Sequence, residues 1–263
     1  MLNPSQVVRP ELDAKGFQPA IYVYQFPVRI WHLVNAFAIA ALLLTGYFIG
    51  SPPPSLSGEA SDHYLMGYTR FVHFTAGYIL IIGLIHRTYW AFVGNGFARE
   101  IFFLPINDKK WWEDVYHEVR RYLFVEKDSE ARKYVGHNPV ATIVIHFLFL
   151  WVITFMAASG LALLGEGEGM SSWQYKLFSS WIIPLFGNSQ NLHTYHHLGA
   201  WAILIFVMIH VYGAVRDELL GNQSIMSTIV SGYRTFKTPG APEDLYRTPA
   251  EIRGEGDLPP RTE

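Results

Sequence analysis

Apolar residues gather into four long runs, separated by polar, aromatic and proline-rich connections. The runs lie near residues 30–50, 70–93, 140–164 and 196–216. Each supplies the roughly 20 residues that cross about 30 Å of hydrocarbon at a rise of about 1.5 Å per residue. The pattern predicts an all-α membrane protein built as a four-transmembrane-helix bundle over 30–237. Residues 1–29 carry Pro, Arg and Asp before any apolar run, so they read as an N-terminal segment without a cleavable signal. Residues 238–263, dominated by Pro, Gly and charge, read as a flexible tail.

Lysine and arginine set the orientation, because short cytoplasmic loops retain positive charge. The 94–139 connection holds Arg99, Lys109, Lys110, Arg120, Arg121, Lys127, Arg132 and Lys133, whereas 51–69 holds none and 165–195 only Lys176. Both termini are therefore expected in the cytoplasm and the two charge-poor loops outside. Within 94–139, Trp111, Trp112, Tyr116, Tyr122 and Phe124 alternate with Glu113, Glu118, Arg120 and Arg121. That mixture suits a helix in the headgroup layer or a soluble amphipathic loop helix. Trp173 to Phe186 reads as a second interfacial segment.

Composition narrows the chemistry. Charged residues make up 16% of the chain, below the roughly 25% usual for soluble domains. The net charge of -2 carries no basic excess, which argues against nucleic acid as a partner. There is no cysteine, so disulfides, thiolate-zinc sites, iron-sulfur clusters and covalent c-type haem are excluded from this chain. A redox centre has to be held by other donors, and the 11 histidines become the informative residues.

An ionisable side chain inside a membrane span reads as functional by default. His32 begins the first span, His73 the second, and the fourth carries both His196 and His210. His196 and His210 are 14 residues apart. That spacing returns to within about 40° of the same helix face after about 21 Å of axis. Alternating span direction puts His73 at the depth of His196 and His32 at the depth of His210. Facing imidazoles at one depth make bis-His axial ligation of a b-type haem, so two pairs predict two stacked haems, an outer and an inner one. Taken singly, each histidine could equally be a buried hydrogen-bonded imidazole.

Neighbouring residues fit the scheme. Arg29 and Arg70 each precede a proposed ligand by three positions and suit a haem propionate, or alternatively the lipid headgroups. Gly46, Gly77, Gly199 and Gly213 would admit a flat porphyrin or close helix packing. His86 and His197 lie 13 residues from His73 and His210 respectively, off the shared face, although a helix distortion could exchange His197 for His196. His193 could bond a propionate or line a partner contact. His63 and His117 read as solvent-exposed, and His146 as bonded to a neighbouring helix.

Six stretches, Pro27-Val28-Arg29-Ile30-Trp31-His32, Thr45-Gly46-Tyr47-Phe48-Ile49-Gly50, Arg70-Phe71-Val72-His73-Phe74, Tyr89-Trp90-Ala91-Phe92-Val93-Gly94-Asn95, Gly136-His137-Asn138-Pro139 and His193-Thr194-Tyr195-His196, carry a resemblance. Together they resemble the b-type cytochrome subunit of membrane-bound nickel-iron hydrogenases, over roughly residues 20–237. The resemblance implies a multi-pass protein of the bacterial inner membrane. It implies a nickel-iron large subunit and an iron-sulfur small subunit as partners, with electrons entering at the outer haem and reducing membrane quinone beyond the inner one. Quinone reduction would be the only chemistry of the chain's own. His137 and Asn138 are candidates to donate to a quinone carbonyl, while Asn138 and Pro139 also read as the cap and first residue of span three. The cytochrome b subunits of formate dehydrogenase or thiosulfate reductase are similar, and a His-lined divalent-metal transporter is the alternative of another class. The spans are nearly devoid of Asp and Glu, which does not favour a transport path.

Overall fold

The computed structural model describes residues 20–54, 64–125, 132–221 and 223–236. A short strand β1 (Ala20–Tyr22) leads into α1 (Phe26–Gly50), followed by α2 (Leu65–Val93), α3 (Gly96–Arg99) and α4 (Lys109–Tyr122). Then come α5 (Pro139–Val144), a π-helical segment (Ile145–Trp151) and α6 (Val152–Glu168). A second π-helical segment (Tyr175–Ser179) runs into α7 (Ser180–Leu185), and α8 (Ser189–Leu220), α9 (Met226–Ser231) and β2 (Tyr233–Thr235) complete the order.

Four helices are long and apolar enough to cross a membrane: Phe26–Gly50, Leu65–Val93, Pro139–Glu168 and Ser189–Leu220. Each outruns the apolar stretch read from the sequence. Their surfaces carry exposed Phe37, Leu44, Ile82, Phe92, Trp151, Ile205 and Met208, which lipid solvates. Local chemistry sets several ends. After Gly50 the run Pro52-Pro53-Pro54 cannot continue a helix. Asn138 caps α5 by accepting from the Ala141 amide at 2.7 Å, with Pro139 at the first helical position.

The chain divides into two compact units. One comprises Met1–Ile30, Thr88–His146 and Ile209–Glu263. Its apolar core joins Ile21, Val23, Tyr24, Val28, Ala98, Val135 and Phe236. It also holds a small antiparallel sheet pairing Ala20 with Thr235, Ile21 with Arg234 and Tyr22 with Tyr233. An all-α reading misses this sheet, which is too short to show a period. Gly232, in the left-handed region at φ 88°, turns the chain out of α9 and accepts the Val23 amide at 2.8 Å.

In the same unit, the inward face of α4 is charged. Asp114, Glu118 and Arg121 are buried with Trp111, while Trp112 and Tyr116 are exposed. Arg121 donates to Glu118 at 2.9 Å and to Asp217 at 2.6 Å, and Arg132 pairs with Asp114. Burial pushes the Glu118 carboxyl up, with Arg121 opposing it. Burial alone would lower the Arg121 guanidinium, but Asp217 and Glu118 outweigh it and hold it above its ordinary value. The second unit, Trp31–Arg87 with Phe147–Met208, packs α7 and the start of α8 on α6 through Ala162, Ile182 and Leu192. Gly165 is required there, because a Cβ would stand 2.5 Å from the Tyr175 nitrogen.

Candidate functional site

The second unit brings together two of the histidines picked out by spacing. His73 on α2 and His196 on α8 are both half-buried, and His196 lies within electrostatic range of His73, His197 and His193. Each is held by a hydroxyl from a helix other than its own. His73 Nδ1 lies 2.9 Å from Thr45 Oγ1 of α1, and His196 Nδ1 lies 2.7 Å from Ser159 Oγ of α6. Among the described residues neither Nε2 is engaged in a hydrogen bond.

His197 is placed differently. It is exposed, and its Nδ1 donates along its own helix to the His193 carbonyl at 2.9 Å. Its Nε2 faces Gly50, 2.5 Å from where a Cβ would stand. His193 likewise donates to the Ser189 carbonyl at 3.0 Å. Thus His196, of the two adjacent histidines, reaches the Ser159 hydroxyl. Of the other expected residues, Arg70 is exposed on α2, while His32 in this unit and His210 in the other are each half-buried. Among the glycines, Gly77 has nothing within 4 Å of a would-be Cβ, whereas Gly199 is filled by the Met156 thioether.

The first unit places the Gly136-His137-Asn138-Pro139 motif in a dense polar setting. His137 Nδ1 is 3.1 Å from Glu100 Oε2, its backbone amide donates to the same oxygen at 3.1 Å, and Nε2 is 3.3 Å from the Tyr24 hydroxyl. Asn138 donates to Asp217 at 2.9 Å and to the Tyr122 hydroxyl at 3.0 Å, besides capping α5. Tyr122 in turn donates to Asp217 at 3.1 Å; burial and the Asp217 carboxylate hold its phenol above the ordinary value. Arg29 donates to the Val230 carbonyl and so fastens the turn after α9.

One expectation needs correction. His117 is not solvent-exposed: its side chain is 16% exposed, because it sits 3.7 Å from the buried Glu118 carboxylate. His146 Nδ1 donates to the Ile101 carbonyl at 2.9 Å, in the turn after α3. His63 and the 238–263 tail lie outside the described residues. Sequence reasoning also missed Thr45, Ser159, Glu100 and Asp217 as partners of the singled-out residues. The first two have a readable signal, a hydroxyl residue followed by glycine inside an apolar span.

Comparison with known proteins identifies the family. Residues 23–232 match the family model described as prokaryotic cytochrome b561. The chain is 53% identical over 220 residues to the probable Ni/Fe-hydrogenase B-type cytochrome subunit of Azotobacter vinelandii, covering 84% of this chain and 90% of that one. The subunit of the same name from Rhodobacter capsulatus is 47% identical over 230 residues, 87% of each chain. The probable Ni/Fe-hydrogenase 1 B-type cytochrome subunit of Escherichia coli K12 is 43% identical over 222 residues, 82% of this chain and 91% of the relative. With four apolar helices and this extent of identity, the chain belongs to the prokaryotic cytochrome b561 family of b-type cytochromes, membrane proteins whose cofactor is haem b.

Proposed function

We propose that this chain is the cytochrome b subunit of a membrane-bound nickel-iron hydrogenase, anchoring it and passing its electrons to membrane quinone. In this reading it receives electrons from the small subunit's iron-sulfur relay, outside a bacterial inner membrane, and keeps both termini in the cytoplasm. The observation that carries the proposal is the pair His73 and His196, each held at Nδ1 by a hydroxyl with Nε2 unengaged. Such donors fit the axial positions of a b-type haem, which takes neutral imidazole nitrogen. Open space beside Gly77, one turn beyond His73, is compatible with a flat ligand. Haem b, when bound, supplies reversible one-electron storage at its iron.

The protein's own residues then divide the work. His73 and His196 bind iron, and Arg70 pairs with a propionate one turn before His73. His32 and His210 form a second ligand pair, a proposal that rests on their helical spacing in the sequence. His137 is the quinone-facing donor, exchanging the Tyr24 hydroxyl at its Nε2 for the quinone carbonyl, and Glu100, at its Nδ1, can take up or return the proton that such a donor exchanges. Asn138 has both amide hydrogens committed within the protein, so its part is to hold the start of span three beside His137. Because the chain has no cysteine, an iron-sulfur relay that delivers its electrons has to lie on a partner.

The test is optical. Membranes carrying the whole complex should show a b-type reduced-minus-oxidised band on exposure to hydrogen, and added quinone should discharge it. His73→Ala or His196→Ala should lower haem per chain, whereas His197→Ala should leave it unchanged. A chain without a b-type spectrum, or a spectrum indifferent to hydrogen, would refute the proposal.

A further inference from the structure

We infer that Thr45-Gly46 and Ser159-Gly160 are two copies of one device, a hydroxyl-glycine seat that fixes the tautomer and rotation of the imidazoles of His73 and His196. This rests on the haem reading above and adds residues to it. The first half of each seat is the hydroxyl. Thr45 Oγ1 stands 2.6 Å from the Ala41 carbonyl and Ser159 Oγ stands 2.7 Å from the Phe155 carbonyl. Two oxygens that close need a hydrogen between them, and a carbonyl has none to give, so each hydroxyl spends its single hydrogen on its own helix. It is left able only to accept. The imidazole nitrogen beside it, His73 Nδ1 at 2.9 Å or His196 Nδ1 at 2.7 Å, must therefore be the N–H. In a neutral imidazole this puts the lone pair on Nε2, the atom a metal takes.

The second half of the seat is the glycine that follows. A Cβ on Gly46 would stand 3.3 Å from His73 Cε1, and one on Gly160 would stand 3.4 Å from His196 Cε1. Each ring edge thus lies on bare backbone, and a larger residue would push it off its hydroxyl. Neither seat lies on the helix that carries the histidine: α1 seats a residue of α2, and α6 seats a residue of α8. The same dipeptide pattern, the same two atoms and closely matched distances recur on unrelated segments. Ordinary i−4 bonding by a helical hydroxyl accounts for the link to the carbonyl but not for the imidazole or the glycine.

Positioning residues of this kind affect metal affinity and electronics together. An N–H that donates to a neighbouring oxygen enriches the opposite nitrogen and so favours ferric iron. In the purified complex, Thr45→Val and Ser159→Ala should each speed haem loss to an apomyoglobin acceptor, by about 10- to 100-fold if the seat follows other second-layer partners. The midpoint potential of the affected haem should rise, and its low-spin ferric resonance should broaden. Thr45→Ser should restore all three. Unchanged haem loss, potential and resonance in both variants would overturn the inference while leaving the haem reading intact. A parent complex with no low-spin haem lost on replacing His73 or His196 would overturn both.

Discussion

A glycine can be indispensable for what it lets another side chain reach. A Cβ on Gly136 would stand 2.2 Å from a Glu100 carboxylate oxygen, and one on Gly199 would stand 2.4 Å from the Met156 sulfur. Both clashes meet the end of a flexible side chain, so steric cost alone does not separate them. The consequences differ because Met156 can swing without losing a polar partner, whereas Glu100 would have to leave both the His137 amide and its Nδ1. A charged hydrogen bond contributes about 1.5–3 kcal/mol, and partial exposure of this pair reduces that. Gly136→Ala should therefore cost roughly 1–2 kcal/mol and lower the thermal unfolding midpoint in detergent, while Gly199→Ala should shift it much less. Equal shifts in the two variants would show that packing, and not the Glu100 to His137 contact, explains Gly136.

Elements follow the solvent on each of their faces. The spans were legible from hydropathy because lipid demands a continuous apolar run, and the N-cap of α5 was legible because Asn138-Pro139 has local chemistry. Helix α4 was less so, since an amphipathic pattern says which faces differ but not which faces inward. Here the charged stripe of Asp114, Glu118 and Arg121 packs inward while Trp112 and Tyr116 face out, the arrangement suited to an interface that is lipid on the outer side. The π-helical segment Ile145–Trp151 and the β1–β2 pair left no periodic trace either. The pairing of His73 with His196 followed from alternating span direction, and the choice of His196 over His197 from its 14-residue spacing to His210, but Thr45 and Ser159 stayed hidden because they join different helices. Arg121 carries the α4 arrangement, because it neutralises Glu118 and Asp217 together. Replacing it with Met leaves two carboxylates without their cation. Breaking a buried pair in this way costs about 3–5 kcal/mol. Arg121→Met should give a protein that unfolds early and in which α4 becomes protease-sensitive; a midpoint matching the parent would show that Arg132 or Arg216 compensates.

At the scale of the whole molecule, sidedness decides whether hydrogen oxidation is coupled to charge separation. On the proposed topology four spans bring both ends to one side, and the basic 94–139 connection is expected with them, because translocating its lysines and arginines across the membrane is unfavourable. If hydrogen is oxidised outside and quinone is protonated from the cytoplasm, each cycle leaves protons outside and removes them inside, with electrons crossing through this chain. Reverse the sidedness and the same chemistry dissipates the gradient. The absence of cysteine leaves this chain itself without background labelling. Lys110 at the start of α4 and Met170 after α6 are both exposed. In intact spheroplasts an impermeant maleimide should label Met170→Cys, whereas Lys110→Cys should react only after the membrane is opened. The opposite pattern would invert the topology and move the His137 region to the side where hydrogen is consumed, and no net charge separation would then follow from this arrangement.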